Sequence, residues 1–76
     1  MNRKEDLQDL LSFVQRYKKK MQTSLKNQML DLEKYKNRLS REQIIYSINL
    51  IKSTEKCISD YANCETRISN QLELLQ

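Results

Sequence analysis

The sequence of 76 residues contains no glycine, proline, histidine or tryptophan, and each absence removes a class of protein. Without Gly and Pro, a fold dense in tight turns is excluded, because those residues supply the positive φ angles and the pre-set φ that such turns use. Phosphate-binding loops and dinucleotide fingerprints go with them, since both need glycines that let the backbone approach phosphate. Without His there is no histidine-based nucleophilic triad. The two thiols, Cys57 and Cys64, do not make a zinc site by themselves. No apolar run reaches the length that crosses a bilayer, and Arg3, Lys4, Glu5, Asp6 and Asp9 are unlike the start of a secretory signal. Asn-x-Ser/Thr acceptors are absent as well. The expected setting is intracellular, in the cytoplasm, with the nucleus also open.

What is present is helix-forming and charged. Asp, Glu, Lys and Arg make up 32% of the chain and apolar residues 38%, with a formal net charge of +4. The charge is uneven: residues 1–39 carry ten Lys or Arg against five acids, and residues 40–76 carry four against five. A base-rich half can attract an acidic surface, and it can equally be the solvated face of a helix.

Apolar residues recur at helical spacing. The series Leu10, Val14, Tyr17, Met21, Leu25, Gln28, Leu32, Tyr35, Leu39 advances in steps of three and four. One surplus step of four reads as a stutter around Met21 and Leu25. Leu11, Phe13 and Leu30 broaden the stripe. The second half carries two overlapping faces: Ile44, Ile48, Ile51, Ile58 and Ala62 on one, and Leu50, Thr54, Cys57, Tyr61, Cys64, Ile68 and Leu75 on the other. Two faces on one helix favour a bundle. The residues expected to carry self-association or partner packing are Leu10, Val14, Tyr17, Met21, Leu25, Leu32, Tyr35, Leu39, Ile44, Ile48, Ile51, Tyr61 and Ile68.

Boundaries follow from local side-chain chemistry. Asn2 is placed to cap a helix beginning at Arg3, with Glu5 and Asp6 in its first turn, where acids complement the helix dipole. The best site for a reversal is Asn37 to Gln43. Asn37 tolerates a left-handed helix end, and Ser40 with Gln43 matches a capping box. Residues 71–76 lack a strong C-terminal cap, as expected of a fraying end or of a helix that continues in a longer chain. The expected fold is all-α: a long antiparallel helical hairpin, with helices over about residues 3–38 and 41–75, forming a single interaction module that associates into a dimeric four-helix bundle. An extended coiled-coil helix and a three-helix chain remain as alternatives, because every residue of the 37–43 segment permits helicity. Within a helix Cys57 and Cys64 stand two turns, about 10 Å, apart, too far for a disulfide, and they are expected as reduced apolar residues.

Nothing in this pattern specifies catalysis. Glu5 with Asp9, and Asp6 with Asp9, serve solubility and helix-end electrostatics, so neither an enzyme nor a metal, cofactor or small-molecule substrate is expected. The pairs Glu33–Lys36, Asp31–Lys34 and Lys52–Glu55 can support exposed helical surface. The expected function is non-enzymatic protein–protein interaction or assembly through apolar helical faces, with a second copy or a larger helical complex as partner. Two alternatives use the basic patch of Arg16, Lys18, Lys19, Lys20 and Lys26, whose side chains are expected to point outward in several directions. One is binding of structured RNA or DNA through phosphates, without a base-reading code. The other is peripheral binding to anionic membranes, with Phe13, Val14, Tyr17 and Met21 as the apolar side.

Overall fold

The computed structural model describes residues 2–75. Two helices, α1 (Arg3–Tyr35, 33 residues) and α2 (Arg41–Leu74, 34 residues), account for nearly all of it, and they pack against each other as a hairpin. The hairpin is a rod of 54 × 16 × 14 Å. Its radius of gyration is 17.1 Å, against about 11 Å for a compact domain of this length.

Both N-termini are capped as their side chains dictate. Asn2 is in an extended conformation and its side chain accepts from the Lys4 N–H at 3.1 Å. At α2 the box is reciprocal: the Gln43 N–H donates to Ser40 Oγ at 3.2 Å, and the Ser40 N–H donates to Gln43 Oε1 at 2.9 Å. Two otherwise orphaned donors are satisfied there, and a Ser cap of this kind contributes about 1 kcal/mol. The chain therefore reverses, and a continuous helix is ruled out.

The reversal differs from expectation in its backbone. No described residue has positive φ, so Asn37 does not use the left-handed region. α1 ends three residues earlier than anticipated, with Lys36 still in the right-handed region and the Arg38 N–H donating to the Tyr35 carbonyl at 2.8 Å. A five-residue connection is long enough to turn through right-handed and extended residues alone, and half-buried Leu39 tucks beneath it. At the far end Leu75 closes α2, its N–H shared between the Glu73 and Leu72 carbonyls. The expectation about residues 71–76 extends to Gln76, which lies outside the described residues.

The seam between the helices is narrow and follows a stricter rhythm than the sequence stripe. On α1 the inward positions are Leu7, Leu11, Val14, Lys18, Met21, Leu25, Gln28 and Leu32, all buried or half-buried, alternating four and three. On α2 they are Ile44, Ser47, Ile51, Thr54, Ile58, Tyr61, Glu65, Ile68 and Leu72, all buried or half-buried, alternating three and four. The expected stutter around Met21 and Leu25 is absent. It arose from placing Tyr17 in the stripe, whereas Lys18 occupies that position in the seam.

Core density is concentrated near the open end. Val14, Ile68 and Leu72 form the buried cluster, with Leu7, Leu11, Tyr61 and Cys64 packed against it. Each buried aliphatic stabilises the hairpin by about 1.5–3 kcal/mol. Thr54 is buried in the middle of the seam, where its hydroxyl donates to the Leu50 carbonyl at 3.0 Å. Gln28 Oε1 is also buried, without a hydrogen-bond partner.

Candidate functional site

Two features of the seam decide what is left on the surface. The first is the ion pair between Lys18 Nζ and Glu65 Oε1 at 2.7 Å, each side chain about three-quarters shielded from solvent. A lysine turned into the seam would be costly alone, and Glu65 compensates it across the two helices. The hydrogen bond and charge of Lys18, assisted by a hydrogen bond from Gln15, hold the Glu65 carboxyl below its usual range, against partial burial that pushes it upward. Lys18 is accordingly removed from the basic patch: it faces the partner helix.

The second feature is that the narrow seam leaves a large apolar flank uncovered. Leu10, Phe13, Tyr17 and Lys20 follow at steps of three and four along α1, so they form one ridge. Leu50, Ser53, Cys57, Asp60, Cys64 and Arg67 form the equivalent ridge on α2, and antiparallel packing sets the two ridges side by side. The ring centroids of Phe13 and Tyr17 are 4.5 Å apart, Tyr17 reaches Tyr61 of α2 at 6.2 Å, and Lys20 Nζ lies 5.4 Å from the Tyr17 centroid. Despite these contacts Phe13 is 52% exposed and Leu10 46%. Tyr17 and Leu50 are also exposed, as is Cys57, while Cys64 is half-buried beside the core.

The opposite flank is polar over most of its length. It presents Gln8, Ser12, Gln15, Lys19 and Gln22 from α1, and Glu55, Ser59 and Thr66 from α2. Among the described residues apolar surface returns there toward the turn, at Met29, Ile45 and Ile48.

The residues expected to pack thus divide. Val14 and Ile68 are buried, and Met21, Leu25, Leu32, Leu39, Ile44, Ile51 and Tyr61 are half-buried within the hairpin. Leu10, Tyr17, Tyr35 and Ile48 are exposed, so they are available to a partner and contribute little to the seam. The sequence reading did not single out Leu72 as core, or Phe13 and Asp60 as members of an exposed ridge. Leu7, Leu11, Val14 and Met21 carried the necessary signal, a four-three rhythm interrupted only by Lys18.

The remaining cations lie outside. Arg16, Lys19 and Lys20 line a shallow groove of about 470 Å³ with Met21, Thr23 and Ser24, and Lys26 is exposed one turn beyond. Among the described residues the ion pairs are Lys18–Glu65 and Lys36–Glu33, the latter at 2.9 Å, so these four cations have no acidic partner. Of the expected helix-surface pairs Glu33–Lys36 forms, whereas Lys34 sits over the Tyr35 ring at 5.2 Å. No group of three or more potential metal ligands occurs among the described residues, and no described helix is long and apolar enough to cross a membrane.

Comparison with protein-family models, curated proteins and solved structures finds no match. The functional reading therefore rests on the surface geometry alone.

Proposed function

We propose that this chain is a non-enzymatic assembly module that binds a helical protein surface through the Leu10–Phe13–Tyr17 flank. The carrying observation is the exposed aromatic ridge, which continues onto the Leu50, Cys57 and Cys64 ridge of α2. Aromatic side chains bury much area at small conformational cost, and they dominate the energetics of interfaces. A flank of this kind in contact with water loses free energy that packing another helix against it recovers.

The experiment places a photoreactive phenylalanine analogue at position 13, and separately at position 22 on the polar flank, in the chain expressed in its native cell. Illumination is expected to give a protein adduct at position 13 and none at position 22. Equal adducts at both positions, or none at position 13, overturns the reading.

The unpaired cations favour a second reading, in which the outer face of α1 holds a polyanion. Arg16, Lys19, Lys20 and Lys26 project over about ten residues of helix, roughly 15 Å, and can contact successive phosphates without reading bases. Filter binding of duplex RNA over a salt series tests it. Affinity falling steeply with salt, and lost when Arg16, Lys19 and Lys26 are replaced by Glu, supports this reading, and no binding at low salt removes it.

A further inference from the structure

We infer that the occupant of the aromatic flank is a second copy of this chain, related by a two-fold axis parallel to the long axis of the hairpin. This rests on the assembly reading above and adds the identity and orientation of the partner. Area gives the first argument. The chain exposes 6383 Å², whereas a compact chain of its mass exposes about 4,900 Å². Removing that surplus from two copies buries about 3,000 Å², within the range of obligate homodimers. The shape agrees, since two rods of 16 × 14 Å cross-section laid flank to flank make a thicker body with an interior that the single hairpin lacks. Among the described residues no side chain of one hairpin is completely enclosed.

Charge chooses the orientation. The contact between Tyr17 and Tyr61 sets the level of the two ridges. Lys20 is three residues beyond Tyr17, and Asp60 is one residue before Tyr61, so both lie about a turn or less toward the reversal. They stand on opposite ridges of the same flank, and neither has an ion-pair partner among the described residues. A two-fold axis along the rod lays α1 of one copy on α2 of the other at the same level. Each Lys20 then meets the partner's Asp60, and Phe13 meets the partner's Arg67, a cation over an aromatic face. All neighbouring helices run antiparallel, as in an up-and-down four-helix bundle. A two-fold axis across the rod stacks α1 on α1 and α2 on α2. Centred on this level, it opposes Lys20 with Lys20 and Asp60 with Asp60. The interface is isologous, so every complementary contact occurs twice.

The test measures the mass of the purified chain by sedimentation equilibrium, for the wild type and for Lys20→Asp, Asp60→Lys and an equimolar mixture of the two variants. The wild type is expected to be a dimer. Each exposed substitution should keep its helical circular dichroism and weaken dimerisation about tenfold, because two attractive pairs become repulsive. Mixing the variants should restore wild-type affinity, since a heterodimer has two opposite-charge pairs. A monomeric wild type at millimolar concentration overturns the second copy as occupant. Adducts to other proteins at position 13 would in that case still support the broader assembly reading. A dimer indifferent to both single substitutions overturns the orientation.

Discussion

The two flanks of this hairpin come from the same two helices and differ in what they leave in water. One carries Leu10, Phe13, Tyr17, Leu50 and Cys57, all exposed. The other carries Gln8, Gln15, Gln22 and Glu55, with Met29, Ile45 and Ile48 restricted to the turn end. The seam between them is the same for both, so neither flank is exposed for want of local packing. A seam of alternating three- and four-residue steps covers only a narrow stripe on each helix. Apolar residues beyond that stripe need another partner, and away from the turn the exposed ones Leu10, Phe13, Tyr17 and Leu50 collect on one side.

The polar flank has its own task near the ion pair. Gln15 reaches the Glu65 carboxylate from that side, so the flank completes the hydrogen bonding of a charge held within the seam. The aromatic flank covers no charge. Its surface cations and acids, Lys20, Asp60 and Arg67, lie on the ridges beside the apolar side chains, where they can select a partner's orientation.

The largest perturbation removes the basis of both flanks at once. Val14 is 4% exposed, and Val14→Asp places a carboxylate in the packed end without a partner, at a cost of about 3 kcal/mol or more. Far-ultraviolet circular dichroism is expected to show loss of helix at 25 °C, and a variant that melts like the wild type would remove Val14 from the core.

A more selective pair separates the flanks. Phe13→Lys, which removes the ring and sets a cation against the partner's Arg67, should raise the dissociation constant for self-association at least a hundredfold, about 2.8 kcal/mol, with helicity retained. Gln22→Glu on the polar flank should leave it within about threefold, as expected of a surface change outside the contact. Sedimentation at several concentrations reads both, and equal effects would erase the distinction.

Cys57 offers a smaller and purely local report. Its thiol is exposed in the single hairpin, and the proposed two-fold places it beneath α1 of the other copy. Maleimide labelling should therefore slow by about tenfold as protein concentration carries the wild type into the dimer, following the free fraction. In Phe13→Lys the rate should not depend on concentration. Concentration-independent labelling of the wild type would put Cys57 outside the interface.

The smallest expected effect belongs to the ion pair. Lys18 holds the Glu65 carboxyl below its ordinary value of 4.5, so the folded state binds that proton less readily than the unfolded chain. Its contribution to stability is present above the unfolded value and is lost as pH falls through the lower, folded one. Thermal melts from pH 6 downward should show this acid-side loss, and Glu65→Gln should flatten it. An unchanged pH profile in Glu65→Gln would show that other carboxylates govern acid unfolding.

Much of the fold was legible because its signals are local. Asn2 and Ser40 satisfy nearby N–H groups, and the Ser40–Gln43 box marks the start of α2 whatever the rest of the chain does. Periodicity likewise identified Val14, Met21, Leu25, Leu32 and Ile68 as inward. The inward place of Lys18 could not be read in this way. Its partner Glu65 is 47 residues distant, and only that pairing makes a lysine tolerable where an apolar residue is otherwise expected. Tyr17, adjacent in sequence and apolar, took its place in the stripe and created an apparent stutter.

The sequence by itself determined two capped, amphipathic helices joined by a short reversal, because helical period and capping depend on residues three and four apart. It also placed a broadened apolar stripe on α1 and two overlapping apolar faces on α2, closely enough that more than one set could face the other helix. Tertiary structure decided between them. Rotating each helix to bring Lys18 against Glu65 and Val14 against the Ile68 and Leu72 cluster buries one stripe, and the same rotation carries Phe13 and Tyr17 to the flank. The choice depends on which side chains meet across the seam, a relation between residues far apart in the chain.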